Sequence, residues 1–177
     1  MTGVLVIKQI NPAKLKEDAM RLALLNPIRK AADDMHKDFK ATTATWHHKV
    51  EFEKAVSLAL GGPSIHIVTY DLIYGYVNDG TKPHPIFAGY YTGLSSKMAL
   101  SFQWGGKGSY RPKTHPGVIG STPGGPSGPR VAMPYVQHPG TKARKFDEAI
   151  RKKWEPMFKR RMEDAMKAAA KASGHSI

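Results

Sequence analysis

Apolar positions along this chain switch period several times, and each switch predicts an element. Val4 to Ile10 is short and β-branched, which predicts a strand. Asn11-Pro12 supplies an N-cap and a first-turn proline for a helix. Leu15, Ala19 and Leu22 follow helical spacing, and Ile28, Ala32, Met35 and Phe39 repeat it. Asn26-Pro27 stands between the two sets, where an interior proline removes a backbone bond. The expectation is one helix over 12–41, kinked near Asn26, or two in tandem. Unkinked, it would be about 45 Å long at 1.5 Å per residue, against a radius of gyration near 16 Å for a compact domain of this size. Such a helix must bend around a sheet or reach a partner.

Strand alternation follows. Trp46, His48, Val50 and Phe52 alternate with polar neighbours, Gly61-Gly62-Pro63 breaks the run, and Ser64 to Tyr70 forms a second strand with Ile65, Ile67 and Tyr70 inward. Together they predict a hairpin. Tyr74 to Thr81 ends in an Asp79-Gly80 turn signal. Lys82 to Ile86 is held extended by its prolines. Met98 to Trp104 alternates with Met98, Leu100 and Phe102 on one face. Arg130 to Val136 is strand-like, with Pro134 favouring an edge. The last element is a helix over 142–172 with the stripe Phe146, Ile150, Trp154, Met157, Met162, Ala165 and Ala169. A kink is expected at Pro156 and a stop at Gly174. Strand, helix, several strands, helix predicts an α+β fold: a mainly antiparallel sheet packed by a long N-terminal and a basic C-terminal helix. We read residues 1–177 as one domain. Within it, residues 104–129 are half Gly or Pro, a long loop or arm with few apolar side chains to hold it down.

Composition narrows the chemistry. The 177 residues carry 27 Lys and Arg against 14 Asp and Glu, a formal net charge of +13, which favours polyanions or acidic protein surfaces. Residues 141–177 hold 11 basic and 5 acidic side chains. Arg151, Lys152 and Lys153 stand eight residues before Lys159, Arg160 and Arg161, so the two clusters share broadly one side of the helix. That surface suits a solvated face, an acidic protein partner or non-specific contact with DNA in transit better than sequence recognition, and no base-reading motif accompanies it. The chain has no Cys, which excludes disulfides, thiolate metal sites and Cys nucleophiles. The N-terminal run lacks a signal-peptide pattern, and no apolar stretch is long enough to span a membrane.

Catalytic chemistry finds little support. His47 and His48 are adjacent and point to opposite faces of a strand, so they cannot share a metal. No His-Glu-x-x-His pair occurs. His84, His115 and His138 each precede proline in extended segments, without a nucleophile elbow beside them. Gly105-Gly106-Lys107-Gly108-Ser109 lacks the spacing of a phosphate-binding loop. We expect no enzyme, no metal and no cofactor. The competing readings are a small basic nuclease using those three histidines, and a non-specific DNA binder acting through the C-terminal helix.

Two segments carry a resemblance. One is Tyr76-Val77-Asn78-Asp79-Gly80-Thr81-Lys82-Pro83-His84-Pro85-Ile86. The other is Val136-Gln137-His138-Pro139-Gly140-Thr141-Lys142-Ala143-Arg144-Lys145-Phe146. The pair, flanked by two helices, resembles the neck or tail-completion proteins of long-tailed bacteriophages, minor tail protein Z among them. Many of those relatives have Pro where this chain has Lys145. The resemblance implies a non-enzymatic virion component, working as a ring of copies between the tail tube or its terminator and the head–tail connector, and assembled in the host cytoplasm. It further implies structural roles at the assembly surface. Thr141 is expected to cap the last helix, with His138-Pro139-Gly140 aiming it and Phe146 anchoring it. Asn78, Asp79, Gly80 and Thr81 shape the facing loop, with His84 and Arg144 beside them.

Overall fold

The computed structural model describes residues 17–59, 62–88, 99–172 and 175. The strand expected over Val4–Ile10, the Asn11-Pro12 helix start, Met98 and the Gly174 stop lie outside them. Two long helices form the body: α1, Glu17–Thr43, and α3, Phe146–Ala172. Each runs through its internal proline, Pro27 or Pro156, as one element. They pack antiparallel, since Ile28 meets Met162 and Ala165, Asp34 meets Arg161, and Asp38 meets Trp154. The α3 stripe is largely as the spacing predicts, with Phe146, Ile150, Trp154, Met162, Ala165 and Ala169 buried. Met157 is the exception and is exposed, because the stripe drifts around the helix as 3.6-residue turns accumulate.

A hairpin of β1, Glu53–Ala59, and β2, Gly62–Val68, lies across the helix pair. Its Val56, Leu58 and Ile65 pack on the Ile28–Met162 cluster. The first strand begins later than the alternation suggests. Residues 46–52 are not paired, yet Val50 and Phe52 are buried with Tyr74 and Phe146. Tyr70, expected inward, is exposed.

Leu72–Asp79 is a short helix, α2, where the sequence suggested only an approach to a turn. Asp71 caps it, its carboxylate accepting from Tyr74 N at 2.8 Å. Burial pushes the Asp71 carboxyl up, but hydrogen bonds from the His48 ring and Tyr74 N outweigh this and hold it below its ordinary value.

The remaining strands pair as nested antiparallel ladders. From the outside in they are β3, His84–Phe87, with β8, Tyr135–His138; β4, Leu100–Gln103, with β7, Arg130–Met133; and β5, Tyr110–Arg111, with β6, Gly125–Pro126. The α+β class therefore holds, and among the described residues the β part is a set of two-stranded antiparallel ladders. The described residues between Thr81 and Thr141 make a long ribbon that leaves the body at a bridge between these two threonines. Pro134 sits between β7 and β8, where its missing N–H interrupts nothing, and its carbonyl accepts from Ala88 N at 3.1 Å.

The ribbon's tip returns to the body. Ser121 Oγ donates to Ala41 O at 3.0 Å and accepts from Thr45 N at 3.2 Å. Lys113 Nζ donates to Thr45 O at 2.8 Å, and Gly117 N to Arg144 O at 2.8 Å. The Gly/Pro-rich stretch is thus tied down by hydroxyl, ammonium and backbone hydrogen bonds. An apolar count does not register such anchors.

Candidate assembly site

The two segments that carry the resemblance are 60 residues apart and form one joint. Thr81 N donates to Thr141 O at 2.9 Å, and Thr141 N to Thr81 O at 3.2 Å and Thr81 Oγ1 at 2.9 Å. A glycine precedes each threonine, and both glycines have positive φ, 79° at Gly80 and 86° at Gly140. A Cβ on Gly80 would lie 2.6 Å from Thr141 O, and one on Gly140 would lie 2.3 Å from Thr81 O. The two backbones meet too closely for any side chain there.

Asn78 is the pin of this joint, 7% exposed on the inner face of α2. Its carbonyl accepts from Arg144 N and Lys145 N, both at 3.0 Å. Its Oδ1 accepts from Phe146 N at 2.9 Å and Asp147 N at 3.4 Å. Those are two of the four amides that a helix start leaves without internal partners. The cap of α3 therefore comes from α2. Thr141, expected in that role, is committed to the bridge with Thr81, and the helix begins at Phe146, four residues later than the expected Lys142. Lys145 stands where a local cap would, but its side chain has no acceptor. Its ammonium instead pairs with Glu148 Oε1 at 2.7 Å, which raises its pKa. Lys145 also has φ 56°. A proline at this position could neither reach that angle nor donate to Asn78.

Phe146 is fully buried, with its ring centroid 5.8 Å from that of Tyr74; Tyr74 is 5.1 Å from Phe52. Asp79 lies at the surface and accepts from Asn78 Nδ2 at 2.8 Å. Arg144 is half-buried and links joint to tip through its carbonyl. Its Nε is buried without a hydrogen-bond partner among the described residues.

His84 and His138 are register partners at the ribbon's base, with ring centroids 5.1 Å apart. His138 Nδ1 accepts from Gly140 N at 3.1 Å, and His84 Nδ1 donates to Lys82 O at 2.8 Å. Burial and then the neighbouring His84 push the His138 pKa down. No carboxylate pairs with either ring among the described residues. His115 is exposed in the tip, on a different part of the ribbon. No group of three His, Cys, Asp or Glu suited to a metal occurs among the described residues, and no described helix is long and apolar enough to cross a membrane.

The basic surface of α3 is more balanced than its sequence suggests. Lys153 Nζ pairs with Asp38 at 2.6 Å, and Arg161 with Asp34 at 3.2 Å. Trp154 Nε1 donates to the same Asp38 oxygen at 2.7 Å, and the Arg161 guanidinium lies 5.1 Å from the Trp154 ring centroid. Two of the six expected basic side chains thus belong to the seam between the helices. Arg151, Lys152, Lys159 and Arg160 remain exposed, interleaved with Glu148, Glu155, Glu163 and Asp164. More of the chain's excess positive charge lies outside this helix than on it. From Thr81 to Lys145 the chain has nine Lys and Arg and no acid at all.

No family model, curated protein or solved structure matches this chain.

Proposed function

We propose that this protein is a structural virion component of a tailed phage. It acts at the neck or tail end as a tail-completion or head–tail joining piece, in a ring of its own copies that meets the tail tube or terminator and the connector. The observation that supports the reading is the joint. The two segments that resemble such proteins are one physical unit, locked by the Thr81–Thr141 bridge and the Asn78 cap. Two unrelated turns would have no reason to pin each other. A second feature favours assembly. Tyr70, Leu72, Ile73 and Tyr76 are each at least half exposed around α2, an apolar surface that a lone soluble domain seldom leaves uncovered. Mass spectrometry of purified particles, with native mass spectrometry of the isolated chain, tests the proposal. Presence in particles and a closed oligomer are expected. A chain absent from particles that stays monomeric with tail and connector proteins overturns it.

A nuclease is the second reading, drawing on the adjacent His84 and His138 rings. It predicts cleavage of DNA or RNA that is lost in His84→Ala or His138→Ala. Absence of cleavage with and without EDTA disposes of it.

A further inference from the structure

The fold leaves one surface on which positive charge meets no opposition. All 14 Asp and Glu of the chain lie outside residues 81–145. Within that stretch Lys107, Arg111, Arg130 and Lys142 are exposed and form no ion pair among the described residues. A phosphate approaching α3 would meet Glu155 and Glu163 beside Lys159 and Arg160, so attraction and repulsion largely cancel. The ribbon itself carries no acid to repel it. The ribbon also carries an apolar groove of about 550 Å³. Phe102, Trp104, Tyr110 and Val136 line it, and Trp104 and Tyr110 are 47% and 57% exposed. Arg130 is the register partner of Gln103 and donates to Ser101 Oγ, two residues that line the groove, and Arg111 follows the groove-lining Tyr110. Cations beside exposed aromatic faces are what a nucleic-acid strand needs: countercharge for its phosphates and flat surfaces for its bases. An acidic protein would use the charge but not the stacking faces.

We propose that the ribbon is a sequence-independent nucleic-acid-binding surface. Lys107, Arg111, Arg130 and Lys142 meet the phosphodiester backbone, and Trp104 and Tyr110 supply contact to bases or sugars. This goes beyond the virion reading and does not depend on it, so failure in a binding assay leaves the particle test intact.

The test is fluorescence anisotropy of the full chain with labelled mixed-sequence single-stranded and duplex DNA over a salt series, with polyglutamate as competitor. Binding should weaken linearly in log affinity against log salt, with a slope of about −0.9 per phosphate contacted on duplex and about −0.7 on a single strand. Lys107→Glu, Arg111→Glu and Lys142→Glu together should cost at least about tenfold and flatten the slope. The α3 variant with Arg151, Lys152, Lys159 and Arg160 all changed to Glu should stay within about threefold. Trp104→Ala should weaken single-strand binding by about fivefold or more. Preference for either DNA form supports the proposal and says which form the groove accepts. Equal loss in the α3 variant overturns it, as does absence of binding at low salt. So does displacement by polyglutamate with no effect of Trp104→Ala, which would make an acidic protein the partner. Thermal melting of each variant separates lost binding from lost folding.

Discussion

On the helical body, acids and bases face each other. Asp38 and Asp34 of α1 take Lys153 and Arg161 of α3, and Asp33 takes Lys54 of the hairpin. On the ribbon no acid is present, and the chain is held by backbone pairing, glycine close approaches and a few polar anchors. The body pairs several of its charges with one another and buries Phe146, Ile28 and Ile150. The ribbon buries little and keeps its charges free for something else. Net charge alone therefore misleads: a cation matters to a partner only where the fold leaves it without an acid.

Substitutions can strain this contrast at graded points. The joint between the two regions should be most sensitive. Gly140→Ala adds a Cβ at a positive φ and 2.3 Å from Thr81 O. It should cost about 3 kcal/mol in denaturant unfolding. A change under about 0.5 kcal/mol would mean the two strands can part freely.

Next comes the cap. Asn78→Ala strands the Phe146 and Asp147 amides and should cost about 2 kcal/mol. Asn78→Asp combined with Asp79→Asn keeps the accepting Oδ1 and adds a charge that suits a helix N-terminus, while removing the carboxylate that the Asn78 amide group meets, so it should recover most of that loss. If this double variant fails as badly as Ala, packing and not capping is the role of Asn78.

Within the body, Asp38→Ala removes the acceptor of Trp154 Nε1 and the partner of Lys153. A loss of about 1.5 kcal/mol is expected. On the ribbon, reversing Lys107, Arg111 and Lys142 to Glu should change stability by less than about 0.5 kcal/mol, because these side chains are exposed and make no ion pair among the described residues. A large destabilisation there would erase the distinction between the regions.

The smallest effect concerns pH. The folded pKa of His138 lies below its unfolded value. As pH falls through about 6.5 the unfolded chain takes the proton first, so stability is present above that pH and declines beneath it. The melting temperature should drop slightly between about pH 7 and pH 5, and His138→Gln should reduce the drop.

Much of the body was legible because its apolar periodicity is strong. Ile28 and Ala32 of α1, and Phe146, Ile150 and Trp154 of α3, are buried where the spacing put them. Leu22 is exposed against expectation, one turn ahead of Pro27. The helix α2 escaped notice because Gly75 and β-branched residues lower its propensity, and the Asp71 cap together with the buried Tyr74 and Asn78 overrides that. The joint was legible only in part. Its glycines, threonines and Phe146 stood out, whereas the capping role of Asn78 depends on a contact 68 residues away. Local sequence could not state it. The ribbon's nesting was hidden for the same reason, since Thr81 and Arg111 meet partners far along the chain.

The central claim is that the two motif segments form one cooperative joint. Amide hydrogen exchange measures it directly in the wild type and in Asn78→Ala. In the wild type, Thr81, Thr141, Arg144 and Phe146 amides should all exchange slowly. In Asn78→Ala all four should speed up together, including Thr81 and Thr141, which Asn78 does not touch. If only Phe146 and its neighbour speed up while the Thr81–Thr141 amides stay protected, the segments are separate turns and the account fails.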